Sequence, residues 1–482
     1  MKIGEPLREV LRWLERRLGL WPVIEPALRH PVPPGSASWW NVFGSAALAA
    51  FGVQVVSGIC LALVYVPSAA HAHESLLYLN DSTTLGWFLR ALHFWGSNFM
   101  VAIVLLHMIQ VFLFAAYKYP RELTWMVGVL LLVCSLGMAF TGQILRWDQD
   151  AYWGLGIGAA ITGRVPVLGP RLVHLMLGGP IVGAETLSRF FALHVFVIPG
   201  ALLLLVSVHL LLVLKRGISE PPVAGRLVSR ETYDESYQRM LERDGVPFFP
   251  FAARKDLAFV GLVLVGIFVC AAVFGPYGPG GPADPTLIDT QPRPDFFFLP
   301  LFALLALLPP WTETVLILTA PLVIGLLLFA LPLVSNTGER SPLRRPVSML
   351  AVLLVAVAFA LLTRSGQQAP WSPAMDAWSG SPTPVDYVRD RSPLELQGAL
   401  VLQNKQCRNC HELGGVGGRR GPALDGVATR LTHDQLVRQV LQGGGNMPAY
   451  GKHLSPAEVS ALVAFLGTLH PPGEHPARPG AR

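Results

Sequence analysis

Four histidines stand inside apolar stretches, where histidine is costly to keep. His93 and His107 lie fourteen residues apart in Trp87–Ala116, a run long enough to cross a bilayer. His194 and His209 repeat the pattern at fifteen residues in Phe190–Leu214. A single histidine in an apolar helix is most simply a hydrogen-bonded core residue; four at matched spacing on two helices point to a task. Fourteen residues is close to four helical turns, so the two rings leave nearly one face, ~21 Å apart along the axis. Two such helices packed face to face make two bis-imidazole sites at two depths, the ligand set of two stacked b-type haems. The extra residue between His194 and His209 would rotate one ring by ~100°. Pro199 lies between them, and a proline kink is expected to absorb the offset.

A second signature lies near the C-terminus. Cys407, Cys410 and His411 form C-x-x-C-H, in which two thiols bond the haem vinyl groups and the histidine ligates the iron. A zinc site would need a second Cys/His pair at suitable spacing, and none follows. Downstream, Gly445-Asn446-Met447-Pro448 offers a thioether in a loop able to wrap a haem edge, so Met447 is expected as the second axial ligand, with His433 and His453 as substitutes. Cys60, Cys134 and Cys270 fall in apolar spans and read as buried thiols.

The elements that must position these groups follow from hydropathy. With 482 residues, 52% hydrophobic and 14% charged, the chain reads as a membrane protein with a soluble appendage. The segments 39–66, 86–116, 123–145, 190–214, 257–275, 314–334 and 347–363 are apolar enough to span, the last being the shortest. The fold class is therefore all-α, with a four-helix di-haem bundle, three further spans and a small helical c-type domain. Gly44 and Gly58 on the first span, and Gly128 and Gly142 on the third, are each fourteen apart and leave room for a flat macrocycle against the backbone. Residues 1–38 are basic and amphipathic and read as a helix on the cytoplasmic surface. With that end inside, the inner segments hold 19 Lys/Arg and the outer loops 5, so the tail is expected outside. The net charge of +6 reflects this bias and carries no nucleic-acid signal. Residues 146–189 are too long for a simple connector and show possible short helices at 173–177 and 183–188; 276–310 ends in an apolar run suited to a helix lying flat at the outer interface. The expected domains are 1–38, 39–216, 217–364, a linker at 365–391, the c unit at 392–470 and a tail at 471–482.

The motifs WWNVFGSAALAAFGVQVVSG, PRELTWMVGV, TGQILRWDQDAYWG, TLSRFFALHVFVIP and HLLLVLKRGISEPP resemble the cytochrome b family of Rieske–cytochrome b complexes (bc1/b6f type), in its chloroplast-type form. The resemblance covers about residues 30–335, with the last three spans similar to the small second subunit, here fused. It implies that His93 and His194 hold an outer b haem and His107 and His209 an inner one. Pro294-Asp295-Phe296-Phe297 stands where the family's P-E-W-Y marks the outer quinol pocket, keeping a carboxylate but losing the tyrosine hydroxyl. Gly154 matches a glycine lining that pocket. Val42 replaces the cysteine that tethers an extra haem, so that haem is not expected to be covalent. Lys215 and Arg216 read as a cytoplasmic charge anchor or as a steadying contact for an inner quinone.

The implied activity is quinol oxidation at the outer side. Asp295 accepts a proton, or alternatively its side chain only caps the helix that follows. One electron crosses through the b haems to an inner quinone and the other leaves by a high-potential route. No Rieske ligand pattern is present in the sequence, so a separate Rieske iron–sulfur protein is the expected partner, within a homodimeric complex that passes electrons to the c haem and on to a soluble or membrane cytochrome c or a terminal oxidase. The expected location is a bacterial cytoplasmic membrane. A non-bifurcating membrane anchor would need two b haems but neither the 276–310 loop nor the c unit. A haem sensor or transporter would need a signalling module or substrate cavity, and neither is evident.

Overall fold

A computed structural model of the chain describes residues 5–179, 182–284, 293–308, 310–368, 382–409, 411–417, 421–443, 447, 450–451 and 454–471. Among them, seven helices are long and apolar enough to cross a membrane. They are α1 (Phe43–Ala62), α2 (Gly86–Leu113), α3 (Glu122–Ile144), α4 (Ile198–Arg216), α5 (Ala253–Phe274), α6 (Pro310–Val334) and α7 (Pro346–Gln368). Fully buried Ala46, Ala50 and Ala91 let α1 and α2 close tightly, while Val56, Leu204, Val273 and Leu326 face outward, as lipid contact requires. α3 pairs with α4, and α5 lies against α1 and α2. The last span is longer than its apolar run, because polar residues 363–368 continue the helical hydrogen bonds after the hydropathy ends.

The offset between His194 and His209 is absorbed by a π turn at Leu193–Val197, inserted between the short helix Ala184–Ala192 and α4. This corrects the expected proline kink. Pro199 sits in the first turn of α4, where it lacks the N–H that would bond the carbonyl four residues back, so the wider turn forms just before it.

Residues 149–177 are also more ordered than the sequence suggested. Asp148 caps a fifteen-residue helix, Gln149–Gly163, by accepting the Ala151 N–H at 2.9 Å. Its glycines (154, 156, 158 and 163) made it read as loop. Helices Gly169–Leu177 and Ala184–Ala192 follow near the expected places, and the apolar run that ends 276–310 forms the helix Leu299–Leu307, packed on α7. The N-terminal segment forms Glu5–Leu18 and Trp21–Arg29, then pairs Pro31–Val32 with Val246–Pro247 in a two-residue antiparallel ladder.

The C-terminal unit comprises α8 (Pro393–Asn404), α9 (His433–Gln442) and α10 (Pro456–Leu466). Each opens with a reciprocal capping box: Ser392/Glu395, Thr432/Gln435 and Ser455/Glu458. Leu402, Leu413, Leu462, Val463, Phe465 and Leu469 form the core, each contributing about 1.5–3 kcal/mol if fully buried. α8 crosses α10 at Gly398, where a Cβ would lie 2.0 Å from the Ala461 carbonyl.

Candidate functional site

The four histidines fall on two levels of the bundle formed by α1–α4, and each faces one of the four glycines. An ideal Cβ at Gly58 would lie 3.2 Å from His93, at Gly142 2.7 Å from His194, at Gly44 3.5 Å from His107 and at Gly128 3.7 Å from His209. Helix α1 thus makes room for the two histidines of α2, and helix α3 for His194 in the π turn and His209 on α4.

At the first level the His93 and His194 ring centroids are 6.1 Å apart. Two imidazoles sharing one metal at about 2 Å per bond require this order of separation. Ser57 Oγ donates to the Val53 carbonyl at 2.6 Å and lies 2.9 Å from His93 Nδ1. Since its proton is committed, the hydroxyl oxygen accepts from Nδ1–H. Thr141 Oγ1 does the same for His194, donating to Gly137 at 2.8 Å and standing 3.0 Å from Nδ1. Both rings are held as the tautomer that presents a bare Nε2 to a metal. These residues fit a haem iron.

The second level is roomier. A cavity of about 690 Å³ is lined by Gly44, His107, Gln110, Thr124, Gly128 and His209 among others. His107 Nδ1 and His209 Nδ1 are buried without a hydrogen bond among the described residues. The charged floor is formed by Arg121, Glu220, Asp256 and Arg340. Glu220 and Arg340 make a buried ion pair at 2.7 Å, and Tyr233 donates to the other Glu220 oxygen at 2.7 Å. Burial alone would raise the Glu220 carboxyl; Arg340 and the Tyr233 hydroxyl more than offset it, leaving it lowered. Lys215 and Arg216 are exposed and absent from this lining, an arrangement that suits a surface anchor.

Asp295 lies partly buried before helix Leu299–Leu307. Its main-chain carbonyl, not its carboxylate, closes the turn, accepting from Phe298 N at 2.9 Å and Leu299 N at 3.1 Å. The helix has Phe298 as its N-cap and no side-chain cap, so the capping alternative fails. Burial raises the Asp295 carboxyl, with Arg146 pulling the other way. Phe296, Phe297 and Phe298 stack edge to face beside it, and Phe298 meets Phe140. Gly154 has only Gln143 Nε2 at 4.0 Å where a Cβ would sit, leaving open space.

In the C-terminal unit, His411 donates Nδ1–H to the Pro422 carbonyl at 2.7 Å, which again leaves Nε2 available. Gly421 lies so close that a Cβ would stand 2.4 Å from that ring. Met447 is half-buried, its sulfur 3.5 Å from Gln439 Nε2 on α9, while His433 is exposed at the start of the same helix. Cys407 is half-buried; Cys410, Gly445, Asn446, Pro448 and His453 lie outside the described residues.

A family model described as cytochrome b/b6/petB matches residues 28–217. One described as cytochrome b(C-terminal)/b6/petD matches 282–379, and one described as cytochrome C oxidase, cbb3-type, subunit III matches 396–466. The menaquinol:cytochrome c reductase cytochrome b subunit of Geobacillus thermodenitrificans is 38% identical over 222 residues, 45% of this chain and 99% of the relative. Cytochrome b of Rhodobacter capsulatus is 31% identical over 306 residues, 62% of this chain and 68% of the relative. This chain belongs to the cytochrome b family. A solved structure titled "Hyperthermophilic respiratory Complex III" superposes with a TM-score of 0.63 at 29% identity, covering 75% of this chain and 92% of that one.

In this cytochrome b the two b-type matches lie in one polypeptide, followed by the c-type unit. Sequence reasoning missed Ser57 and Thr141, although each immediately precedes a glycine already singled out, and the Ser-Gly and Thr-Gly pairs were visible. It also missed Glu220, Asp256 and Arg340, and the cluster around Arg146. Glu220, Asp256 and Arg340 gather only through long-range packing, and the Arg146, Asp148 and Asp150 run gains Tyr277 only in the same way.

Proposed function

We propose that this cytochrome b is the redox core of a quinol:cytochrome c oxidoreductase. Quinol would be oxidised at an outer site beside Asp295, and two b haems and a covalently attached c haem, when bound, would supply the one-electron routes inward and, by way of a separate Rieske iron–sulfur protein, outward. The observation that carries the reading is the first histidine level: two rings 6.1 Å apart, each with Nδ1–H committed to a hydroxyl. His93 and His194 would hold the outer b haem, His107 and His209 the inner one, and Cys407, Cys410, His411 and Met447 the c haem. Bound haem supplies one-electron redox chemistry.

The chain's own residues then bind, orient and move protons. Pro294 and the three phenylalanines wall the outer pocket against water, while the open space at Gly154 leaves room for a flat ring. The Asp295 carboxylate takes the proton released as a quinol hydroxyl is oxidised, and its raised pKa brings it nearer the operating pH. The excess of Lys/Arg in the inner segments supports a cytoplasmic N-terminus and an outer c domain in a bacterial membrane. A homodimer and a soluble or membrane cytochrome c or terminal oxidase as acceptor complete the proposal.

Asp295→Asn tests the acid–base role. Turnover should fall ~10²–10⁴-fold with haem content unchanged, and Asp295→Glu should retain activity. Wild-type quinol oxidation by the Asn variant at every pH would remove Asp295 from the mechanism.

A further inference from the structure

Three carboxylates surround Arg146, and they are not equivalent. Asp148 is fully buried and fully used: Oδ1 accepts from Ala151 N at 2.9 Å, and Oδ2 accepts from Gly280 N at 2.9 Å and stands 3.5 Å from Arg146 Nε. It ties the Gln149–Gly163 helix to the 276–284 segment. Asp295 is half-buried and electrostatically coupled to Arg146. Asp150 faces water: its side chain is 31% exposed, 3.9 Å from Arg146 Nη2, and accepts from the Tyr277 hydroxyl at 3.3 Å.

Arg146 is half-buried, and its buried Nε and Nη2 make no hydrogen bond among the described residues. The Tyr277 ring, 4.9 Å away, and the surrounding charges hold it. A guanidinium fixed by a bidentate fork is rigid; one held by charge and a ring face can turn between carboxylates. The other ionisable groups at this corner are Arg90, electrostatically coupled to Arg146 and Asp148, and His73, whose Nε2 is 2.7 Å from the Gly280 carbonyl.

We propose that Asp150 is the exit station for the proton that Asp295 takes from the quinol, with Arg146 the pivot between them. The inference rests on the reading of Asp295 as proton acceptor. The quinol O–H bond breaks and an O–H bond forms on the Asp295 carboxylate. Arg146 then turns from Asp150 toward Asp295, which lowers the proton affinity of Asp295 and raises that of Asp150. The proton then passes through water to Asp150 and on to the outer solution, and Asp295 returns to the carboxylate. Arg146 stays a cation throughout, and the electrons leave the quinol by the redox route. Burial, then Asp148, raises the Asp150 carboxyl against the pull of Arg146 and Tyr277, so both stations exchange protons nearer neutral pH than a free aspartate does.

The test is quinol oxidation by the purified complex carrying single variants, followed from acid to alkaline pH. Asp150→Asn should lower the rate about tenfold, less than Asp295→Asn, and Asp150→Glu should recover it. Removing Asp150 leaves Arg146 acting fully on Asp295, so the acid limb of the pH profile should move to lower pH. Arg146→Gln should move it to higher pH. A merely structural role would shift neither limb. Should Asp150→Asn fail to assemble, Tyr277→Phe removes only the hydroxyl holding Asp150 and must slow turnover a few-fold. Wild-type rates and pH profiles in the Asp150 and Tyr277 variants, with Asp295→Asn impaired, overturn the exit station and leave the function standing. Wild-type behaviour in Asp295→Asn as well removes the proton acceptor itself.

Discussion

At the level of His93 and His194 the rings stand 6.1 Å apart, with Nδ1–H tied to Ser57 and Thr141 and glycines pressed against both rings. At the level of His107 and His209 the glycine approaches are looser, a cavity of about 690 Å³ opens between the helices, and His107 Nδ1 lacks a hydrogen bond among the described residues. The two levels repeat one sequence pattern, yet one is preorganised and the other open. The difference teaches where each level obtains its order: the first from hydroxyls on the bundle's own helices, the second from whatever fills the space.

The largest effect should come from removing a ligand at either level. His194→Leu or His107→Leu should eliminate one b haem and leave the other, as read from the absorption spectrum. His107→Leu should also stall quinol oxidation after about one turnover with the outer haem reduced, since electrons enter but do not cross. Unchanged steady-state turnover would break the assignment of the levels to one route.

Next come the hydroxyls. Ser57→Ala and Thr141→Val leave the rings in place but release their tautomer, and outer haem affinity should fall ~10–100-fold in haem-extraction measurements. The inner haem should be unaffected. Equal losses at both levels would mean that the hydroxyls act on the bundle as a whole.

The smallest effect is steric. Gly142→Ala places a Cβ 2.7 Å from His194 Cε1, whereas Gly128→Ala meets His209 at 3.7 Å, an ordinary contact. Thermal unfolding should show a loss of about 1–3 kcal/mol for the first and little for the second. Equal behaviour would contradict the tight-versus-open distinction.

Much of this was legible in the sequence. The spans follow from apolar runs, and the histidines stand out because polar groups in such runs are rare. The fifteen-residue spacing announced an irregularity, but it could not distinguish a kink at Pro199 from the π turn at Leu193–Val197, since both begin with the same missing N–H. The Gln149–Gly163 helix was hidden because its stability comes from packing and an Asp148 cap and not from propensity. At Asp295 two roles were open, and only the helix start at Leu299 closed one of them. The Arg146 cluster joins residues 146–150 to 277 and 295, and no local period reports such a meeting.

The central claim is the cofactor count, and an optical redox titration combined with pyridine haemochrome analysis of the purified chain tests it most directly. The account predicts two b haems titrating separately and one c haem that remains covalently bound through acid–acetone extraction and is lost when Cys407 and Cys410 are replaced. A single b haem, or a covalent haem that survives that double replacement, would contradict it.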